Sequence, residues 1–113
     1  MKAIHAFIHS HKLSVVTLAL HKVEGLTGMS INDVRGFGHG KNNTAPHTVV
    51  DDLIDFNPYV KIEIYCLDKF VNEIVSTIQN TAHTGLRGDG KIYVTDVNEA
   101  YRISSGERGE KAV

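Results

Sequence analysis

The sequence predicts an α+β fold, a four-stranded antiparallel sheet with two helices on one face, and three patterns carry that expectation. Lys2 to His9 and Val60 to Cys66 alternate apolar and polar residues with the period of a strand. Two stretches, opening at Lys12 and Phe70, repeat apolar residues at helical spacing. Glycine-rich turns separate these stretches and leave room for two further strands.

In the first strand Ile4, Ala6 and Ile8 share one face, opposite His5, Phe7 and His9. Leu13, Val16, Leu20 and Val23 then mark a helix, which Gly25 and Gly28 are expected to end. Met29 to Gly36 reads as the second strand. In the third, Val60, Ile62, Ile64 and Cys66 oppose Lys61, Glu63 and Tyr65. Phe70, Ile74 and Ile78, with Val71 and Val75 beside them, make the second amphipathic helix. Thr84 to Lys91 is a glycine-rich turn, and Ile92 to Val97 the fourth strand. The resulting β-α-β-β-α-β order is the split, ferredoxin-like arrangement in one domain spanning residues 1–113. Two helices cover only one face of such a sheet. The other face carries Phe7, Tyr65 and Tyr93, and is expected to be buried in a homo-oligomer.

Residues 37–55 have no clear period, and an unpatterned loop of this length in a compact domain is typically functional or disordered. Its glycines and asparagines (Gly38, Gly40, Asn42, Asn43) suit mobility, while the more apolar Val49 to Ile54 suits docking on a partner. The charged tail after Ile103 is expected to fray.

With 42% hydrophobic and 22% charged residues, the chain has the balance of an ordinary globular domain. A formal net charge of -1 argues against nonspecific nucleic-acid binding, which needs a basic field. The single cysteine, Cys66, excludes an internal disulfide and fits a reducing compartment. The short first apolar run is interrupted by His5 and His9, unlike a signal peptide, and no stretch approaches the ~20 apolar residues of a membrane span. These features lead to the expectation of a cytoplasmic protein without direct membrane insertion.

Chemistry concentrates in TGLRGDGKIYV, Thr84 to Val94. Glycines let the backbone approach an anion and aim N–H groups at it, and Lys91 adds a fixed positive charge. The same segment also reads as a tight turn into a strand, with Asp89-Gly90 as turn chemistry and Lys91 solvated. It is not a Walker loop, because its lysine opens a strand rather than a helix. GFGHGK, Gly36 to Lys41, offers a second backbone anion site or a flexible hinge.

Taken in order, MKAIHAFI…KL, LTGMSINDVRGFG, DF-x-P-x-VKIEI at Asp55 to Ile64, TGLRGDGKIYV and YRISSGERGEKAV resemble the PII signal-transduction proteins nearly end to end. One extra residue near Glu24 is the only apparent length change. The resemblance implies a homotrimer with ATP or ADP in the clefts between neighbours; it leaves magnesium open. It implies a mobile T-loop at 37–55 that engages a target protein, a membrane transporter being one candidate. It further implies a B-loop at 84–91 and a C-terminal loop at 102–113. Gly28, Met29 and Ser30 would lie near the adenine, and Gly36, Phe37 and Gly38 at the loop base. Glu63 would lie near the ribose or base. Gly88, Asp89, Gly90 and Lys91 would hold the phosphates, and Arg102 would reach in from the adjacent subunit.

The departures from that family's pattern narrow the expectation. The tyrosine that many bacterial members have uridylylated is Asp52 here, and no tyrosine lies in residues 37–55. The glutamine that helps organise magnesium and 2-oxoglutarate is Gly40, and the lysine that pairs with that dicarboxylate is Tyr59. No uridylylation and no meaningful 2-oxoglutarate sensing are expected. An arginine usual at the loop base is His39 and a second C-terminal arginine is Ser104, with Arg87 placed to restore some charge. Weaker discrimination of triphosphate from diphosphate should follow. The arginine that plugs the ammonium channel is also missing, its position held by Thr48 or His47.

Seven histidines occur. His9 and His11, or His39 with His47 and Asp51 or Asp52, are candidate ligands for a divalent transition metal; the alternative is scattered surface and interface histidines. A metal-responsive trimer linked to metal tolerance or efflux is therefore the alternative function. No nucleophile sits beside an orienting base, so a small phosphatase or phosphotransferase is less favoured and the chain is not expected to be an enzyme.

Overall fold

A computed structural model describes residues 1–36 and 57–113. Six principal elements follow in chain order: β1 (Lys2–His9), α1 (Leu13–Leu20), β2 (Ser30–Gly36), β3 (Asn57–Cys66), α2 (Val71–Ala82) and β4 (Lys91–Asp96). Short 3-10 turns precede each helix, at Ser10–Lys12 and Asp68–Phe70, and another closes the chain at Gly109–Ala112. The strands form one sheet in the order β2-β3-β1-β4, every neighbouring pair antiparallel. This is the predicted four-stranded architecture with two helices.

The alternation of β1 and β3 fixes which face is buried. Ile4, Ala6 and Ile8 of β1 join Val60, Ile62, Ile64 and Cys66 of β3 in the core. Val16 and Leu20 of α1 and Ile74, Ile78 and Ala82 of α2 pack against them. The two central strands thus supply the core because each has a neighbour on both sides. Each fully buried aliphatic side chain contributes about 1.5–3 kcal/mol. Burial also pushes the Cys66 thiol above its ordinary pKa, as fits a structural thiol.

The open face presents Phe7, Tyr65 and Tyr93 as the sequence led us to expect. Phe7 and Tyr93 meet edge-to-face with ring centroids 6.1 Å apart, and Tyr65 and Tyr93 remain 47% and 51% exposed in the single chain.

Two local expectations are corrected. Helix α1 ends at Leu20, before Gly25, and Val23 is buried from the turn that follows. Gly25 does not act as the helix stop; a Cβ there would fall 2.0 Å from the ring of Phe70, so the glycine is needed for that contact. The C-terminal tail does not fray. Tyr101 bridges Arg108, the Arg102 N–H donates to the Glu107 carbonyl at 2.9 Å, and the Gly106 N–H donates to the Arg102 carbonyl at 2.7 Å. A charged composition signals exposure, which is observed, but backbone hydrogen bonds around Gly106 and Gly109 still fold the segment into a turn.

Candidate functional site

The glycine loop between α2 and β4 is built by its own side chains. The Asp89 carboxylate accepts the Thr84 backbone N–H at 2.9 Å and also the Thr84 hydroxyl. Nδ1 of His83 lies 3.1 Å from the same carboxylate, and Nε2 of His9 3.7 Å from it. The Thr84 hydroxyl and N–H, followed by the two imidazoles, hold the Asp89 carboxyl below its ordinary pKa. Asp89 therefore acts through its carboxylate as the clasp of the loop, and only its backbone N–H suits an anion.

Gly88 and Gly90 adopt φ of +83° and +107°, conformations that glycine enters without Cβ strain. A Cβ at Gly90 would stand 1.7 Å from the Phe7 carbonyl oxygen, so the loop lies directly against β1. Beyond it, Lys91 opens β4 opposite Phe7. Neither Lys91 nor Arg87 has an ion-pair partner among the described residues. Glycine backbone with two available cations is an arrangement suited to phosphate oxygens. Beside the loop, a cavity of 490 Å³ runs between α2 and β4, with Gln79, Asp89, Lys91 and Tyr93 in its lining.

The remaining sequence candidates form separate groups. Gly36 ends β2 at the sheet end that carries the glycine loop, paired with Asn57. Gly28 and Met29 lead into β2, and Ser30 pairs with Glu63. Six residues of strand put Ser30 about 20 Å from Gly36. Glu63 accepts the Tyr65 hydroxyl, with Lys61 Nζ 3.6 Å and His5 Nδ1 3.8 Å away. The Tyr65 hydrogen bond is the first cause of its lowered carboxyl pKa. Arg102 stands in the C-terminal turn, its Nη1 3.7 Å from Glu107 and its Nη2 donating to the Lys111 carbonyl at 3.4 Å. One protomer thus gathers Gly88–Lys91 and Gly36 at one end and Gly28–Ser30 with Glu63 at another, and does not assemble them into one pocket.

Phe37, Gly38, His39 and His47 lie outside the described residues, as do Gly40, Asp51 and Asp52. Among the described residues, no group of three or more histidine, cysteine, aspartate or glutamate side chains is placed to hold a metal. His9 and His11, candidate metal ligands in the sequence, stack face to face, with centroids 5.2 Å and planes 22° apart.

Two contacts of this loop, those of Thr84 and Tyr59, escape a reading of the sequence. Thr84 had a local signal, a hydroxyl five residues before an aspartate across a glycine turn. Tyr59 had none. It donates from its hydroxyl to the Gly88 carbonyl at 2.8 Å, a contact made across 29 residues.

Among the described residues, no helix is long and apolar enough to cross a membrane. A family model described as nitrogen regulatory protein P-II matches residues 1–107. The chain is 43% identical over 113 residues to the nitrogen regulatory protein P-II of Azospirillum brasilense, covering 100% of both chains. It is 45% identical over 113 residues both to the corresponding protein of Klebsiella oxytoca and to nitrogen regulatory protein P-II 1 of Escherichia coli K12, again covering 100% of each.

Proposed function

The chain belongs to the nitrogen regulatory protein P-II family, whose members are regulatory proteins rather than enzymes, and we propose that it works as an adenine-nucleotide-gated regulator of a target protein. ATP or ADP binds in clefts between the subunits of a homotrimer, its phosphates against Gly88, Gly90, Lys91 and Arg87 and the backbone of Asp89. Gly28, Met29, Ser30 and Glu63 of one subunit, with Arg102, complete a cleft whose glycine loop comes from the next. Gly36, Phe37, Gly38 and His39 form its remaining wall. Nucleotide state then biases the 37–55 segment toward or away from its target, a membrane transporter being the candidate class.

The observation that carries this reading is the glycine loop itself. Its two positive-φ glycines, its Asp89 clasp and a Lys91 without an ion-pair partner among the described residues support an anion cradle. The about 20 Å between Ser30 and Gly36 supports a cleft completed by a second copy.

The same reading separates this chain from its relatives in one respect. Regulation proceeds without 2-oxoglutarate and without tyrosine uridylylation, since Tyr59, Gly40 and Asp52 stand where the resemblance expects the lysine, glutamine and tyrosine. Tyr59 also commits its hydroxyl to Gly88, which leaves it no cationic or free donor for a dicarboxylate.

Calorimetry of the full chain with ATP, ADP and AMP tests the proposal, each with and without 2-oxoglutarate. Binding of ATP or ADP, unchanged by 2-oxoglutarate, is expected. Absence of binding by all three nucleotides refutes the cradle, and enhancement of ATP binding by 2-oxoglutarate refutes the loss of that response. Substitution Lys91→Ala should weaken ATP binding roughly 10-fold or more, since a hydrogen bond to a charged group contributes ~1.5–3 kcal/mol.

A further inference from the structure

A column of three rings stands beneath the glycine loop. The β1–β3 register sets His9 opposite Tyr59, and their rings stack with centroids 5.1 Å and planes 21° apart. His11 stacks on His9 at 5.2 Å. The column ends at the Tyr59 hydroxyl, which donates to the Gly88 carbonyl at 2.8 Å. A Cβ at Gly88 would lie 3.3 Å from that hydroxyl oxygen and 4.0 Å from Cε1 of His9, so both rings pack directly against this residue.

Among the described residues, Tyr59 makes the side-chain hydrogen bond to the backbone of Gly88–Lys91. The bond has a geometric consequence because the peptide unit is planar. Fixing the Gly88 carbonyl also fixes the Asp89 N–H, which points the opposite way from the same plane. Glycine at φ +83° would otherwise leave that plane free to turn. The backbone of Tyr59 belongs to a second system. It pairs with Val34 of β2, two residues along from the Gly36–Asn57 pair that closes the β2–β3 ladder.

We propose that Tyr59 is a positioning residue that sets the Gly88–Asp89 peptide for phosphate and ties its state to the end of the β2–β3 ladder. The proposal rests on the reading of Gly88–Lys91 as a phosphate cradle. An anion that selects one orientation of this peptide strengthens the Tyr59 bond, and by linkage the bond strengthens anion binding to the same extent.

The test compares the full chain with Tyr59→Phe, which keeps the ring and its stacking and removes only the hydroxyl. ADP is titrated by calorimetry, and hydrogen exchange of the Tyr59–Lys61 amides is followed with and without saturating ADP. In the wild type ADP slows that exchange. In the variant, affinity falls roughly 3- to 10-fold, as expected for one neutral hydrogen bond, and the slowing is lost at saturation. A ring that served only packing would leave the exchange response intact once the site is full. Wild-type affinity in the variant, or an unchanged response at saturating ADP, overturns the proposal while leaving the cradle standing. A wild-type chain that binds neither ADP nor ATP overturns the cradle and this proposal together.

Discussion

The carboxylate of Asp89 accepts the backbone N–H of Thr84 at 2.9 Å, clasping the glycine loop shut across five residues just after α2 has ended. The bond is charge-assisted, and the Thr84 hydroxyl adds a second to the same carboxylate. Asp89→Ala should therefore loosen the loop without unfolding the domain. Calorimetry with ADP should show affinity reduced by about 10-fold, while far-UV circular dichroism stays unchanged. Undiminished affinity would show that the loop needs no clasp.

The same carboxylate gives the loop a pH dependence of known sign. Its folded pKa is depressed, first by the Thr84 hydroxyl, so its contribution is fully present above the unfolded value near ~3.9 and is lost as pH falls through the folded value. Exchange protection of the Leu86 to Gly90 amides should fall in acid, below about pH 4, and Asp89→Asn should abolish that dependence. The folded-state ¹³C shift of the Asp89 carboxyl gives its pKa directly, and a value at or above ~3.9 would contradict the assignment.

Gly90 is held by contact as well as by conformation. Gly90→Ala would bring a methyl group to 1.7 Å from the Phe7 carbonyl oxygen, and it adds the strain of φ +107°. The domain should lose about 3 kcal/mol or more, since backbone strain alone costs about 1–3 kcal/mol. Gly109→Ala has φ +75° with open space around the new methyl, and should cost only about 1 kcal/mol. Urea denaturation of the two variants measures the contrast.

Ile62 lies on the central strand β3 and is fully buried. Ile62→Ala should destabilise by about 2–5 kcal/mol, the loss of transfer energy plus the cavity. Ile103, completely exposed in the single chain, provides the control. Ile103→Ala should leave denaturation of the isolated chain nearly unchanged. A larger effect at high protein concentration would place Ile103 in a contact between copies.

Local periodicity made the fold legible. The period of two in β1 and β3 names the buried face residue by residue, because a strand cannot slip by one position without exposing Ile4, Ala6 and Ile8. The spacing of Ile74 and Ile78 does the same for α2. The glycine turn was legible too, since the positive φ of Gly88 and Gly90 follows from the freedom of glycine itself. The C-terminal turn was not. Its backbone bonds depend on Gly106 and Gly109 at positive φ, and a charged composition carries no trace of them.

The sequence by itself determined the strands, the helices, the family resemblance and the glycine-rich turn, because each rests on local pattern or residue chemistry. Only the tertiary structure decided that Asp89 is a clasp, that His9 and His11 stack, and that Tyr59 reaches Gly88. The reason is physical: these relationships follow from strand register and from contacts between distant residues, and the energy that selects a register comes from the whole buried face.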